Sequence, residues 1–282
     1  MPDSSAVDAW RGLIDDAAIF PPGNAQLSDA ETAHARRAAR HWTGPLVGSL
    51  VVRDRDLAAL TTKPPLSVVL TEGAGGLAGA CAVARRRGLK LAGLEIAISD
   101  RDDPAANARR VHTAYDDACL RGLLPEGTPL FVELPPELPG SGWLRAADVV
   151  ADAGHRLKFR TGGVEAHLFP DAVTLTAWID AALDRETSFK CTAGLHHALR
   201  HRAADTGFEH HGFLNVLTAT LRAWEGATPA EVAETLEDRA LVPNRTDLTL
   251  ARRWFTSFGS CSVDEPVQDL IDLGLLRPPG GP

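Results

Sequence analysis

Cysteine is scarce and scattered: Cys81, Cys119, Cys191 and Cys261 form no CxxC pair. That pattern reads as a reduced, cytoplasmic protein. Long apolar runs are missing, so nothing in the sequence spans a membrane. The first ten residues are polar and lack the apolar centre of a signal peptide. Positive charge is in deficit, with 29 Lys and Arg against 37 Asp and Glu and a formal net charge of -8. This argues against nucleic acid as a main partner. It leaves room for an anionic small-molecule substrate, because a local basic pocket can sit in an acidic protein. No G-x-G-x-x-G fingerprint follows an early strand, the HxH and HExxH patterns are absent, and no Pro-, Gly- or Ser-rich linker divides the chain. A homo-oligomer is compatible with the sequence, but no coiled coil or other interface signal refines that.

What is present is a chain of 282 residues with 44% hydrophobic and 23% charged content, enough to bury a large core. Short apolar segments alternate with helix-length segments. Strands are expected at residues 17–20, 46–52, 66–70, 89–98, 129–134, 156–160 and 189–192, with an eighth candidate at 212–216. Helices are expected between them: 28–41, where Ser28 and Glu31 have capping-box spacing, a brief one at 54–60, an alanine-rich one ending at Arg87, then 104–123, 142–153 and 175–183. Thr228-Pro229-Ala230-Glu231 is a helix start with cap, proline and returning glutamate. Residues 248–258 read as a further amphipathic stretch, and a last helix begins near Val263.

Parallel strands need such crossovers. Eight strand–helix units in this length predict an α/β fold, a (β/α)8 TIM-type barrel forming a single domain over 1–282, with extra C-terminal helices. Residues 1–13 are expected as an N-terminal helical extension and 277–282 as a flexible tail. A doubly wound open sheet is the rival. The barrel is preferred because polar residues end nearly every strand and no dinucleotide glycine fingerprint follows an early one.

Period-two alternation assigns faces. Leu157 and Phe159 face the helices, so Lys158 and Arg160 face the interior. In the next strand Cys191 joins the helix-facing core, and Lys190 and Thr192 point inward. The same parity turns Glu95 and Glu133 inward. Four or five charges converging in one layer are costly unless paired. They form either a charged pocket or a salt-bridge layer that closes the barrel. A lysine in such a pocket can form a Schiff base if burial or a second cation lowers its pKa, or it can stay charged and hold a carboxylate or phosphate. Thr161-Gly162-Gly163 and Thr192-Ala193-Gly194 offer backbone N–H groups to an anion.

Adjacent strands bearing Lys158 and Lys190 resemble the site design of the class I deoxyribose-phosphate aldolase family. In that family a reactive lysine ends one strand and a second lysine precedes a Gly-Gly loop on the next. The resemblance covers about forty residues, from Leu157 to His197, and the glycine pairs stand elsewhere: Gly162-Gly163 follow Lys158, and Ala193-Gly194 follow Lys190. It implies an aldolase-type lyase acting on a small anionic carbonyl compound, with Lys158 or Lys190 as Schiff-base lysine. The other lysine, Glu133 and a histidine would move protons, with Glu95 beside them and no cofactor. His196 and His211 are the acid–base candidates, and Asn215 is a substrate-binding candidate. Isomerase and phosphoribosyl-transfer chemistry would want a similar basic pocket.

Two alternatives remain open at this level. One is a metal-dependent hydrolase or lyase using His196, His197, His210 and His211, with Glu133 or Asp264 adding an oxygen ligand. The other is a non-catalytic barrel that binds a metabolite. Cys261 is a nucleophile beside a histidine or part of a turn that caps the last helix through Ser262 and Glu265. Asp15 and Asp16 read as caps ahead of the first strand.

Overall fold

The computed structural model describes residues 9–98, 101–204, 206–243 and 245–277. Eight parallel strands close into a barrel: β1 (Ile14–Asp16), β2 (Val47–Arg53), β3 (Pro65–Leu70), β4 (Lys90–Ala97), β5 (Leu130–Glu133), β6 (Arg156–Arg160), β7 (Phe189–Thr192) and β8 (Phe255–Ser260). Each pairs with its sequence neighbours, and β1 closes the ring against β8. The expected TIM-type architecture is therefore the observed one.

The helices are α1 (Leu27–Ala38), α2 (Gly73–Arg87), α3 (Pro104–Leu120), α4 (Ser141–Asp152), α5 (Ala172–Asp184), α6 (Phe213–Trp224), α7 (Pro229–Glu237), α8 (Arg245–Ala251) and α9 (Asp264–Asp272). Only a 3-10 turn, Asp54–Asp56, stands between β2 and β3, so the brief helix expected there does not form. Between the barrel and the helical ring lies an aromatic seam. Phe159 meets Phe189 at 4.7 Å between ring centroids, and Phe189 stacks on Phe255 at 5.4 Å. Leu157 and Cys191 are wholly buried in the same layer, as the alternation of β6 and β7 requires.

Five further expectations about elements need correction. The first strand is Ile14–Asp16, not 17–20, and residues 9–12 are turns rather than the end of a helix. The rest of the expected extension lies outside the described residues, as do the end of β4's loop at 99–100 and the tail from 278 on. The eighth strand is Phe255–Ser260, not 212–216, which belongs to α6. Leu199 to Ala204 contribute no helical turn; His201–Arg202 pair with Glu209–His210 in a small antiparallel ribbon. Finally, Ser28 does not cap α1. Gln26 holds that position, and Glu31 turns instead to the backbone and hydroxyls of Thr61 and Thr62, at 2.6 to 3.1 Å. By contrast, Thr228 and Glu231 form the reciprocal capping box that their spacing predicts.

Candidate active site

Lys158 and Lys190 stand opposite each other in the β6–β7 register, and Glu133 stands opposite Lys158 in β5–β6. All three side chains point into the barrel, as the parity argument required. They join an alternating chain of charge. Lys190 Nζ donates to Asp15 Oδ2 and Glu95 Oε1, both at 2.7 Å. Lys158 Nζ lies 2.9 Å from Glu95 Oε2 and 3.0 Å from Glu133 Oε2. Arg160 Nε donates to Glu133 Oε1 at 2.6 Å. Three carboxylates thus compensate three cations, and the two lysines and Glu95 are almost entirely buried.

Asp15 is the member that sequence reasoning missed. It lies within β1, not ahead of it, and its carboxylate is saturated by donors. Besides Lys190, Oδ2 accepts from Ser257 Oγ at 2.7 Å, and Oδ1 accepts from Ser49 N and Oγ at 2.8 and 2.7 Å. Gly48 in β2 makes this fit: a Cβ there would sit 2.5 Å from Asp15 Oδ1. Asp16, the other predicted cap, faces the opposite way and pairs with Arg37 at 3.0 Å. Two adjacent acids on a strand necessarily face opposite sides. β1 has three residues and two are acids, so alternation alone offers no period from which to choose between them.

The two ammonium groups do not depress each other's pKa, contrary to the sequence expectation. Burial alone would lower Lys158 and Lys190, but the flanking carboxylates outweigh it and raise both. Burial likewise raises Glu95, yet Lys158 and Lys190 override it and hold that carboxyl at about 2. Glu133 is lowered in the same way by Lys158 and Arg160. These shifts hold Glu95, Glu133, Lys158 and Lys190 in their charged forms.

The lysines differ in what they face. A pocket of about 230 Å³ opens at the carboxyl ends of the strands, and its wall includes Lys158, Glu95, Arg160, Thr192 and His196. This is the end where barrel enzymes keep their chemistry. Lys190 does not reach it. With Asp15, it lines a separate cleft at the amino end, beside Ser49, Ser67 and Arg156. The bonding differs too. Both contacts of Lys190 are directed hydrogen bonds, whereas Glu133 Oε2 has ion-pair contact with Lys158 but no directed hydrogen bond.

The predicted anion-binding loops are packed on each other. A Cβ on Gly162 would fall 2.6 Å from Gly194 Cα and 2.9 Å from its N, and one on Gly163 would meet the Leu168 side chain. Gly194 has φ +78°, beside Ala193 at +61°. The Thr161 hydroxyl donates to Ala193 O at 2.6 Å. These glycines satisfy close backbone approach, so their presence does not by itself mark an anion cradle.

Two other predicted residues are structural. Asn215 is wholly buried and clamps three segments: Oδ1 accepts from Arg200 N at 2.8 Å, and Nδ2 donates to Thr235 O and Asp238 O. His211 is held between Arg200 and Pro170 O, and burial pushes its pKa down to about 4. Neither lines the pocket. His196 does, with Nδ1 3.0 Å from Glu265 Oε2 and Cys261 Sγ at 3.8 Å from Nε2. The Cys261 thiol is raised by burial. The other paired histidines diverge, His197 to Asp269 and His210 to Gly194 O. Among the described residues no three metal-donor side chains converge, so the four-histidine metal site expected as an alternative does not assemble.

No protein-family model matches the chain, and no curated protein matches it. Solved structures do match. A deoxyribose phosphate aldolase from Aeropyrum pernix, described as tetrameric, superposes with a TM-score of 0.55 at 12% identity, covering 97% of this chain and 94% of that one. A putative deoxyribose-phosphate aldolase from Toxoplasma gondii ME49 gives 0.54 at 13%, covering 97% and 98%. Its apo form gives 0.55 at 12%, covering 95% and 96%. At these identities the likeness is one of fold, and it extends over nearly the whole barrel.

Proposed function

We propose that the chain is an aldolase-type lyase that forms a Schiff base on Lys158. The observation that carries this reading is the asymmetry of the two lysines: Lys158 opens to the carboxyl-end pocket and Lys190 does not. The fold-level likeness to solved barrels named as aldolases supports the same reaction class. The tetramer described for one of them supports a homo-oligomer here. Four free cysteines support a reducing compartment such as the cytoplasm.

The chemistry follows from the ion chain. Lys158 must first lose a proton, and Glu95 at 2.9 Å receives it. The transfer converts a buried ion pair into a neutral pair and runs uphill against the raised lysine and the lowered Glu95 carboxyl, so the free amine is a minor species that attack on the substrate draws off. Lys190 keeps its two other bonds and holds Glu95 in place meanwhile. The free amine attacks the substrate carbonyl carbon, and Glu95 returns its proton to the oxygen. Loss of water leaves an iminium, with its positive charge beside Glu95 and Glu133. That charge draws the electron pair of the adjacent carbon–carbon bond as His196 takes the proton of the departing hydroxyl. One aldehyde leaves, and the enamine that remains is protonated on carbon and hydrolysed.

The test is borohydride reduction in the presence of an aldehyde, followed by peptide mass spectrometry. The expected result is an adduct on Lys158 and none on Lys190. An adduct confined to Lys190, or none at either, overturns the reading. The raised lysine pKa favours a second reading, a non-catalytic barrel closed by a neutral ion layer. That reading predicts no adduct, and a Lys158→Met variant that loses stability but no turnover.

A further inference from the structure

We propose that the carboxyl-end pocket takes an uncharged carbonyl compound with an apolar tail and selects against phosphorylated ones. This rests on the Schiff-base reading for its chemistry, although the selectivity itself belongs to the walls. Those walls are mainly apolar: Phe20, Val51, Val69, Val164 and Leu168 surround the approach to Lys158. The volume of about 230 Å³ has room for a small organic molecule. Each methylene buried on such walls improves binding about fourfold.

Several of the places where a barrel would hold a phosphate are engaged otherwise. Barrels use the late loops and the N-terminus of a following helix, where free N–H groups and the helix dipole attract anions. The helix after β8 begins Asp264-Glu265-Pro266, so its first turn carries two carboxylates and a residue without an N–H. The Glu265 N–H already donates to Ser262 Oγ at 3.3 Å. In the preceding turn, the Ser260 hydroxyl donates to Ser262 O at 2.7 Å. In the loop after β7, Gly162 packs on Gly194 N and Cα, and the Thr161 hydroxyl is committed to Ala193 O.

Charge balance points the same way. The three carboxylates of the ion chain already match its three cations. A phosphate dianion would enter this balanced site without a counter-charge of its own. Arg160 lines the pocket and is tied through Nε to Glu133. Its two terminal nitrogens remain as donors to substrate oxygens.

The experiment measures the concentration of aldehyde that half-saturates borohydride trapping on the Lys158 peptide of the wild-type protein. Hexanal, succinic semialdehyde and glyceraldehyde 3-phosphate are compared. Hexanal is expected to half-saturate at least tenfold below glyceraldehyde 3-phosphate, with succinic semialdehyde between them. Glyceraldehyde 3-phosphate or succinic semialdehyde equal to or better than hexanal overturns the proposal. Val164 is 68% exposed at the rim, so Val164→Arg should leave the fold intact and lower the glyceraldehyde 3-phosphate value at least tenfold; no change in that variant also counts against the proposal. If no aldehyde labels Lys158, the Schiff-base reading fails by itself. Calorimetric titration of hexanamide and glycerol phosphate then decides the selectivity: tighter hexanamide upholds it, and tighter glycerol phosphate, or binding of neither, overturns it.

Discussion

Lys190 is the residue on which the interior charge depends most. It is the shared partner of Asp15 and Glu95, each at 2.7 Å, and only 1% of its side chain is exposed. Replacing it with methionine keeps the volume but leaves two buried carboxylates short of a cation. Breaking one side of a buried pair costs about 3–5 kcal/mol, so Lys190→Met should lose about that much in urea denaturation. A loss under 1 kcal/mol would mean that the carboxylates find water or protons cheaply. Legibility at this scale was uneven. Glu95, Glu133, Lys158 and Lys190 were readable because each stands between apolar neighbours, so alternation names its face. Asp15 was not read, because β1 has three residues and two are acidic, too short a run to display a period. His211 looked functional as a member of a histidine pair, and Asn215 as its near neighbour. Burial and saturated hydrogen bonds, which composition does not reveal, make them clamps instead.

At the scale of elements, local chemistry sets the ends and packing sets the type. The α7 start shows the first rule. Thr228 Oγ1 accepts from Glu231 N at 3.4 Å while Glu231 Oε2 accepts from Thr228 N at 2.8 Å. Thr228→Ala should therefore lower stability by about 1 kcal/mol, read as a shift in the urea midpoint with an unchanged slope. A larger loss would mean that the cap also holds α7 against α5 and α6. The second rule explains the two misread segments. In α6, Phe213, Leu214, Asn215, Val216 and Leu217 are all buried, so no polar face marks a helical period and the run resembles a buried strand. In β8, Phe255 and Phe258 lie three apart, a helical spacing, while the strand's pairing with β1 and β7 is long-range and leaves no local trace. Where a strand alternates cleanly, as β6 and β7 do, its bounds were legible to the residue.

For the molecule as a whole, the ion chain links the two mouths of the barrel. It runs from Arg160 and Lys158 at the carboxyl-end pocket to Lys190 and Asp15 at the amino-end cleft. Its titration therefore belongs to global stability. Glu95 has an ordinary value of 4.5 and is held at about 2 in the fold, and Glu133 is lowered as well. As pH falls below about 4.5, the unfolded chain binds these protons and the native one does not. Their stabilisation is thus complete above that pH and drains away down to the folded values. The lysines act at the other end. Their folded pKa values lie above 10.5, so their contribution is complete below 10.5 and is lost as pH rises through the folded values. Each group moves stability by at most about 1.4 kcal/mol per pH unit within its window. Glu95→Gln removes one titrating carboxyl from the acid limb. Between pH 4 and pH 3, the slope of unfolding free energy against pH should fall by about 1 kcal/mol per unit relative to wild type, measured by urea denaturation at closely spaced pH values. The same variant leaves Lys158 and Lys190 each with one carboxylate instead of two, so its alkaline limb should still begin near 10.5 but end at a lower pH than that of the wild type. An acid slope unchanged by Glu95→Gln would mean that Glu95 enters the native state already protonated, and the alternation of charge through the barrel would be broken at its centre.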